Sequence, residues 1–122
     1  TYVVRGDNGT CRGFIHVLAV GGVGWIDMLA LEEDVRGRGY GKRLMDMAEA
    51  YALRRGCSAM RLYVDQVNGK AISFYRRMGY VIIGYEPSID CLVMARQLQE
   101  GKKPHSEDMV EYGFGVKTAF RW

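Results

Sequence analysis

Residues 36 to 42, Arg-Gly-Arg-Gly-Tyr-Gly-Lys, set three glycines at alternate positions in a cationic run. An apolar segment precedes them, and an apolar stripe at helical spacing follows. Over Ile26 to Ala52 this order reads as strand, phosphate-cradling loop and helix. The strand expected over Trp25 to Leu31 stops at Glu32-Glu33-Asp34, a poor strand former that places charge just before a turn. Beyond the glycines, Leu44, Met47, Ala48, Tyr51, Ala52 and Arg55 recur at spacings of three and four. That periodicity predicts a helix with one buried face, and Gly56 is its stop.

Alternating glycines let the backbone approach a ligand and let several N–H groups point into one concavity. Because the loop opens into a helix, the unpaired N–H groups of the first turn and the positive dipole end favour an anion there. Arg36, Arg38, Lys42 and Arg43 add charge suited to more than one phosphate. Other glycine loops fail on spacing. A Walker loop needs Ser or Thr after Gly-Lys, and Arg43 follows Lys42; a dinucleotide fingerprint needs Gly-x-Gly-x-x-Gly, and Gly37, Gly39 and Gly41 are spaced too tightly. An Arg-Gly RNA-binding tract is usually disordered, whereas this one lies between two patterned elements.

Residues 26 to 42, Ile-Asp-Met-Leu-Ala-Leu-Glu-Glu-Asp-Val-Arg-Gly-Arg-Gly-Tyr-Gly-Lys, resemble the acyl-CoA motif of the GNAT superfamily of N-acetyltransferases. The core of that motif is Gln/Arg-x-x-Gly-x-Gly/Ala after a strand, and Arg36, Gly39 and Gly41 fill its fixed positions. A second stretch, Asn68-x-x-Ala71-x-x-Phe74-Tyr75-x-x-x-Gly79-Tyr80, resembles the family's second signature. Read alone, Phe74 and Tyr75 are core residues of an amphipathic helix; with the glycine loop ahead of them, the functional reading takes precedence.

The rest of the chain fits around these motifs. Residues 2 to 5 and 12 to 20 are rich in β-formers, with the turn Gly6-Asp7-Asn8-Gly9 between them and Gly21-Gly22 leading to the strand at Trp25. Met60, Leu62 and Val64 alternate with Arg61 and Tyr63 as in a strand, and Ala71, Phe74, Tyr75 and Met78 repeat at helical spacing up to Gly79. Tyr80 to Tyr85 and Ile89 to Ala95 read as a hairpin about Glu86-Pro87-Ser88. A lone strand histidine, His16, reads as structural. After the polar break at residues 99 to 104, Met109, Tyr112, Phe114, Val116 and Phe120 alternate only partly, and Gly113 and Gly115 weaken a strand there.

At 122 residues the chain is expected to be a single domain (1–122), with its motif-bearing core in 25–95 and a tail over 100–122. Hydrophobic residues at 48% and charged residues at 25% argue against disorder. A net charge of +3 is too slight to imply a nucleic-acid partner. Three widely spaced cysteines give neither a zinc site nor a disulfide framework, so no metal is expected and the setting reads as reducing and cytoplasmic. No apolar run approaches the ~20 residues that span a bilayer, so no membrane association is expected.

The resemblance implies an α/β (α+β) fold of GNAT type: a twisted, mostly antiparallel mixed sheet flanked by helices, here shortened at the N-terminus. It implies acetyl-CoA as co-substrate, wedged between residues 29–31 and 64–68 where two strands splay apart. Backbone groups of Leu29, Ala30 and Leu31, the loop residues Arg36, Gly37, Arg38, Gly39, Tyr40, Gly41 and Lys42, and Asn68 and Tyr75 would bind it. Tyr75 would protonate the departing thiolate. For the base that deprotonates the amine, Asp27 comes first, with Glu32 and Glu33 behind it. The function expected is acetyl transfer to a primary amine of a small molecule. Alternatives are a protein acetyltransferase acting on lysine or an N-terminus, and a non-catalytic CoA-binding module. Since almost nothing precedes Tyr2, either the acceptor side is open or another segment or subunit closes it. A homodimer is expected, or failing that an intramolecular closure by residues 109 to 120.

Overall fold

The computed structural model describes residues 1–99, 110–111 and 117–121. In chain order they form β1 (Tyr2–Arg5), β2 (Cys11–Val20), β3 (Val23–Leu31), a 3₁₀ turn (Glu33–Val35), α1 (Tyr40–Arg54), β4 (Ala59–Asp65), α2 (Gly69–Arg77), β5 (Val81–Glu86), β6 (Cys91–Gln97), β7 (Val110–Glu111) and β8 (Lys117–Arg121). The strands make one eight-stranded sheet in the order β5-β6-β4-β3-β2-β1-β8-β7. Pairs β3–β4 and β1–β8 run parallel and the others antiparallel, so the mostly antiparallel mixed sheet expected from the sequence is the one observed.

Alternation decides which face of the sheet is dry. Ile15 and Val17 of β2, Ile26 of β3, and Met60, Leu62 and Val64 of β4 are buried, with Leu44, Met45, Met47, Ala48 and Ala52 of α1 in the same cluster. The β3-α1-β4 unit is thus a parallel crossover, with α1 packed on the sheet it connects. α2 buries no residue fully but packs Ala71, Ile72, Phe74, Tyr75 and Met78 against that core.

Two departures from the sequence reading have local causes, and a third is long-range. α1 begins at Tyr40, ahead of the first stripe residue, because Gly39 is its N-cap in the left-handed region at φ 85°. Ile89 lies in a turn and not in β6: Ser88 donates from its N–H and hydroxyl to Glu86 Oε1, Tyr85 donates to Asp90, and Asp90 turns at φ 52°. In the tail, β8 pairs in parallel with β1 and so extends the sheet edge. Met109, Tyr112, Phe114 and Val116 lie outside the described residues.

Candidate active site

β3 and β4 pair from Val23↔Ala59 to Ile26↔Leu62, and there the pairing stops. β3 stays on β2 as far as Leu31, and β4 stays on β6 as far as Asp65, so the two parallel strands part at their C-terminal ends. The cause is visible in the β2–β3 register. Ile26 faces Val17 and Met28 faces His16, so Asp27 is an extra residue, a bulge that bends β3 where it leaves β4. Beyond it, the β4-facing edge of β3 has no strand partner among the described residues.

The gap is a cleft of about 240 Å³ lined by residues 26–29 and 62–65 and by Asn68, Ala71 and Tyr75. It therefore brings together Asp27, Leu29, Asn68 and Tyr75 of the residues singled out in the sequence. Ala30 and Leu31 lie further along β3, towards the loop. The cleft reaches deeper than expected, to Ile26 and Leu62, because the strands separate at the bulge. Sequence reasoning missed Tyr63, which alternates with the buried residues of β4 and so belongs to its open side; Asp65 falls within the expected stretch 64–68.

The glycine loop lies at the same end of the sheet. Gly37 and Gly39 have φ of 77° and 85°, and a Cβ on either would meet nothing within 4 Å, so both line open space. Gly41 is a glycine for another reason. Its would-be Cβ lies 3.2 Å from Phe74 Cζ and 3.5 Å from Leu31 Cδ1, so the first turn of α1 packs directly on the α2 residue next to Tyr75. Bulk at Gly41 would therefore push first against Phe74.

Several cationic and polar candidates carry structural work as well. Arg36 Nε donates to the Leu31 carbonyl at 3.0 Å, tying the loop to the end of β3. Lys42 pairs with Asp46 one turn on, at 3.0 Å. Asn68 is the N-cap of α2, its Oδ1 accepting from the Ala71 N–H at 3.2 Å, which is worth about 1 kcal/mol. Arg38 and Tyr40 stand at the loop's end and the start of α1, Arg38 exposed and Tyr40 partly buried.

The carboxylates sort by environment. Asp27 is exposed on the cleft wall. Glu32 is paired with Arg12 at 2.6 Å, and Asp34 closes on the same guanidinium, whose hydrogen bond holds the Asp34 carboxyl below its usual range. Glu33 is an exposed residue of the 3₁₀ turn. His16 is hydrogen-bonded through Nδ1 to Thr1 Oγ1 at 2.8 Å, in keeping with a structural histidine. Tyr75 is partly buried, and burial pushes its phenol above the ordinary value, so it keeps its proton at neutral pH. Among the described residues no cluster of potential ligands could hold a metal.

Comparison with known proteins identifies the family and the fold. A family model described as the acetyltransferase (GNAT) family matches residues 1–80. Streptothricin acetyltransferase of Streptomyces lavendulae is 35% identical over 94 residues, covering 73% of this chain and 48% of the relative. An acetyltransferase of Agrobacterium fabrum is 36% identical over 78 residues, covering 64% of this chain and 55% of the relative. The chain thus spans about half the length of these curated relatives. The crystal structure of nourseothricin acetyltransferase superposes with a TM-score of 0.74 at 30% identity, covering 78% of this chain and 62% of that one.

Proposed function

The chain belongs to the acetyltransferase (GNAT) family, and from that premise we propose that it transfers an acetyl group from acetyl-CoA to a primary amine of a small molecule. The observation that carries the reading is the cleft between β3 and β4, with Asp27 and Tyr75 on its walls and the glycine loop beside it.

The residues present fit the co-substrate. Gly37 and Gly39 leave room for phosphate oxygens against backbone N–H groups, and α1 begins there with its dipole directed at the anion. The unladdered edge of β3 at Asp27 to Leu29 offers N–H and C=O groups to an amide-bearing arm, as a neighbouring strand would. The bound thioester supplies the acetyl group. The other steps fall to the chain. Asp27 accepts a proton from the amine, which with a pKa of roughly 10 arrives mostly protonated. Strand-edge N–H groups of β3 donate to the oxyanion, and Tyr75 protonates the leaving thiolate.

For the acceptor we rely on likeness: the relatives named for streptothricin and nourseothricin act on small molecules, and the Asp27 and Asp65 carboxylates in the cleft favour a cationic amine. A panel of small amines, streptothricin and peptides bearing free N-termini or lysine, followed as thiol release, tests this. Turnover confined to peptides would overturn the small-molecule acceptor, and turnover with nothing would overturn the enzyme.

Gly39→Val should weaken CoA binding at least tenfold. It strains a left-handed residue and fills the space above the loop, at the loss of charge-assisted hydrogen bonds of ~1.5–3 kcal/mol each. Calorimetry on a folded variant with wild-type affinity would exclude the loop as the phosphate site.

Residues 1–122 form a single domain in this reading, working in a reducing cytoplasm in which Cys11, Cys57 and Cys91 stay reduced. No helix among the described residues is long and apolar enough to cross a membrane. We expect a homodimer. Outermost β5 leaves Val81, Ile83 and Tyr85 exposed at 59%, 51% and 49%, an apolar edge that a second copy would cover. Sedimentation as a monomer at micromolar concentration would refute it.

A further inference from the structure

Glu49 is the one charged side chain among the described residues that is buried, at 0% exposure, and it lies in the middle of α1. Its Oε2 accepts from the Tyr80 hydroxyl at 2.8 Å, and Arg96 Nη1 of β6 donates to Oε1 and Oε2 at 3.0 and 3.2 Å. A buried carboxylate costs several kcal/mol in desolvation, and apolar residues of like volume often do as well for stability. Such a group calls for a reason beyond stability, and its partner supplies one.

Tyr80 sits at the exit of α2. Its backbone N–H donates to the Tyr75 carbonyl at 3.0 Å, Gly79 N–H donates to the Arg76 carbonyl at 3.0 Å, and together they close the end of the helix as a Schellman motif. The Tyr80 and Tyr75 rings lie 6.0 Å apart at 59°. Burial first, and then the Glu49 charge, raise the Tyr80 phenol far above its usual range, so it remains a donor throughout neutral and alkaline pH. A continuous linkage therefore runs from α1, the helix that begins at the glycine loop, through Glu49 and Tyr80 to the backbone and ring of Tyr75.

We propose that Glu49 is a positioning residue for Tyr75, acting through Tyr80 to fix where the Tyr75 ring and hydroxyl stand in the cleft. The consequence for catalysis rests on Tyr75 being the acid of the reaction. Tyr80 and Glu49 touch neither substrate; they hold the group that does.

Tyr80→Phe is the direct test, because it keeps the ring and the backbone cap and removes only the hydroxyl. We expect kcat to fall about tenfold at an unchanged KM for acetyl-CoA, since a small misplacement of a reacting group suffices for that loss. With ¹³C-labelled tyrosine, the Tyr75 ring signal, assigned by its disappearance in Tyr75→Phe, should be displaced. Glu49→Leu should displace it likewise, and the double variant should add nothing further, because both act through one linkage. An undisplaced Tyr75 signal in Tyr80→Phe overturns the proposal, as does a displaced signal with wild-type kcat when Tyr75→Phe is itself impaired. If Tyr75→Phe turns over normally, the acid role falls and the ring signal alone decides the positioning.

Discussion

Tyr75→Phe should lower kcat by on the order of 10²-fold while leaving the fold and the affinity for CoA nearly intact. The phenol is the one protic side chain of α2 on the cleft wall, and burial keeps its proton in place above the ordinary value of 10.0. A raised value means that the donor form persists through the neutral range, so wild-type kcat should lose no activity to Tyr75 ionisation until pH exceeds ~10. The ring also packs against Phe74, at 5.2 Å between centroids, and against Tyr80, so Tyr75→Ala would add a cavity and a loss of stability that Tyr75→Phe avoids. Steady-state rates across pH 7 to 10 for the phenylalanine variant check this. A wild-type rate throughout would make Tyr75 a packing residue whose thiolate partner leaves unprotonated or takes its proton from water.

What the sequence made legible was local. Alternation at Met60, Leu62 and Val64 and the stripe from Leu44 to Ala52 each encode a face, and β4 and α1 follow them. The glycines of the loop encode backbone freedom that two of them use at positive φ. Strand order was not legible, because β6 lies between β4 and β5 through long-range pairing such as Leu62↔Met94, which no local pattern records. The bulge at Asp27 was equally hidden. Its residue looks like any alternating strand position until the register with β2 is known.

Side chains with two tasks were only half legible. The resemblance makes Asn68 and Arg36 cofactor-binding residues, and the structure engages Asn68 as a helix cap and Arg36 as a tie to the Leu31 carbonyl. Glu49 carried a faint signal, a carboxylate three residues before Ala52 and four after Met45 on the buried side of an amphipathic helix. Its partners lie 31 and 47 residues away, which is why spacing alone could not find them.

That same triad gives the largest expected loss of stability. Arg96→Met removes the cation from a carboxylate that has no exposed surface. Removing one partner of a buried ion pair costs about 3–5 kcal/mol, so thermal or urea unfolding should show a deficit of that size at neutral pH. For a chain of 122 residues this lowers Tm by more than ~10 °C. Pairing it with Glu49→Leu should restore most of the loss, since a matched apolar pair carries no charge to desolvate. The two variants together therefore separate the readings. If Arg96→Met alone costs less than about 1 kcal/mol, the pair behaves as an exposed surface bridge and α1 is held to β6 by packing alone. If the double variant stays stable yet turns over slowly, the triad is retained for where it holds Tyr75 and not for the stability it adds.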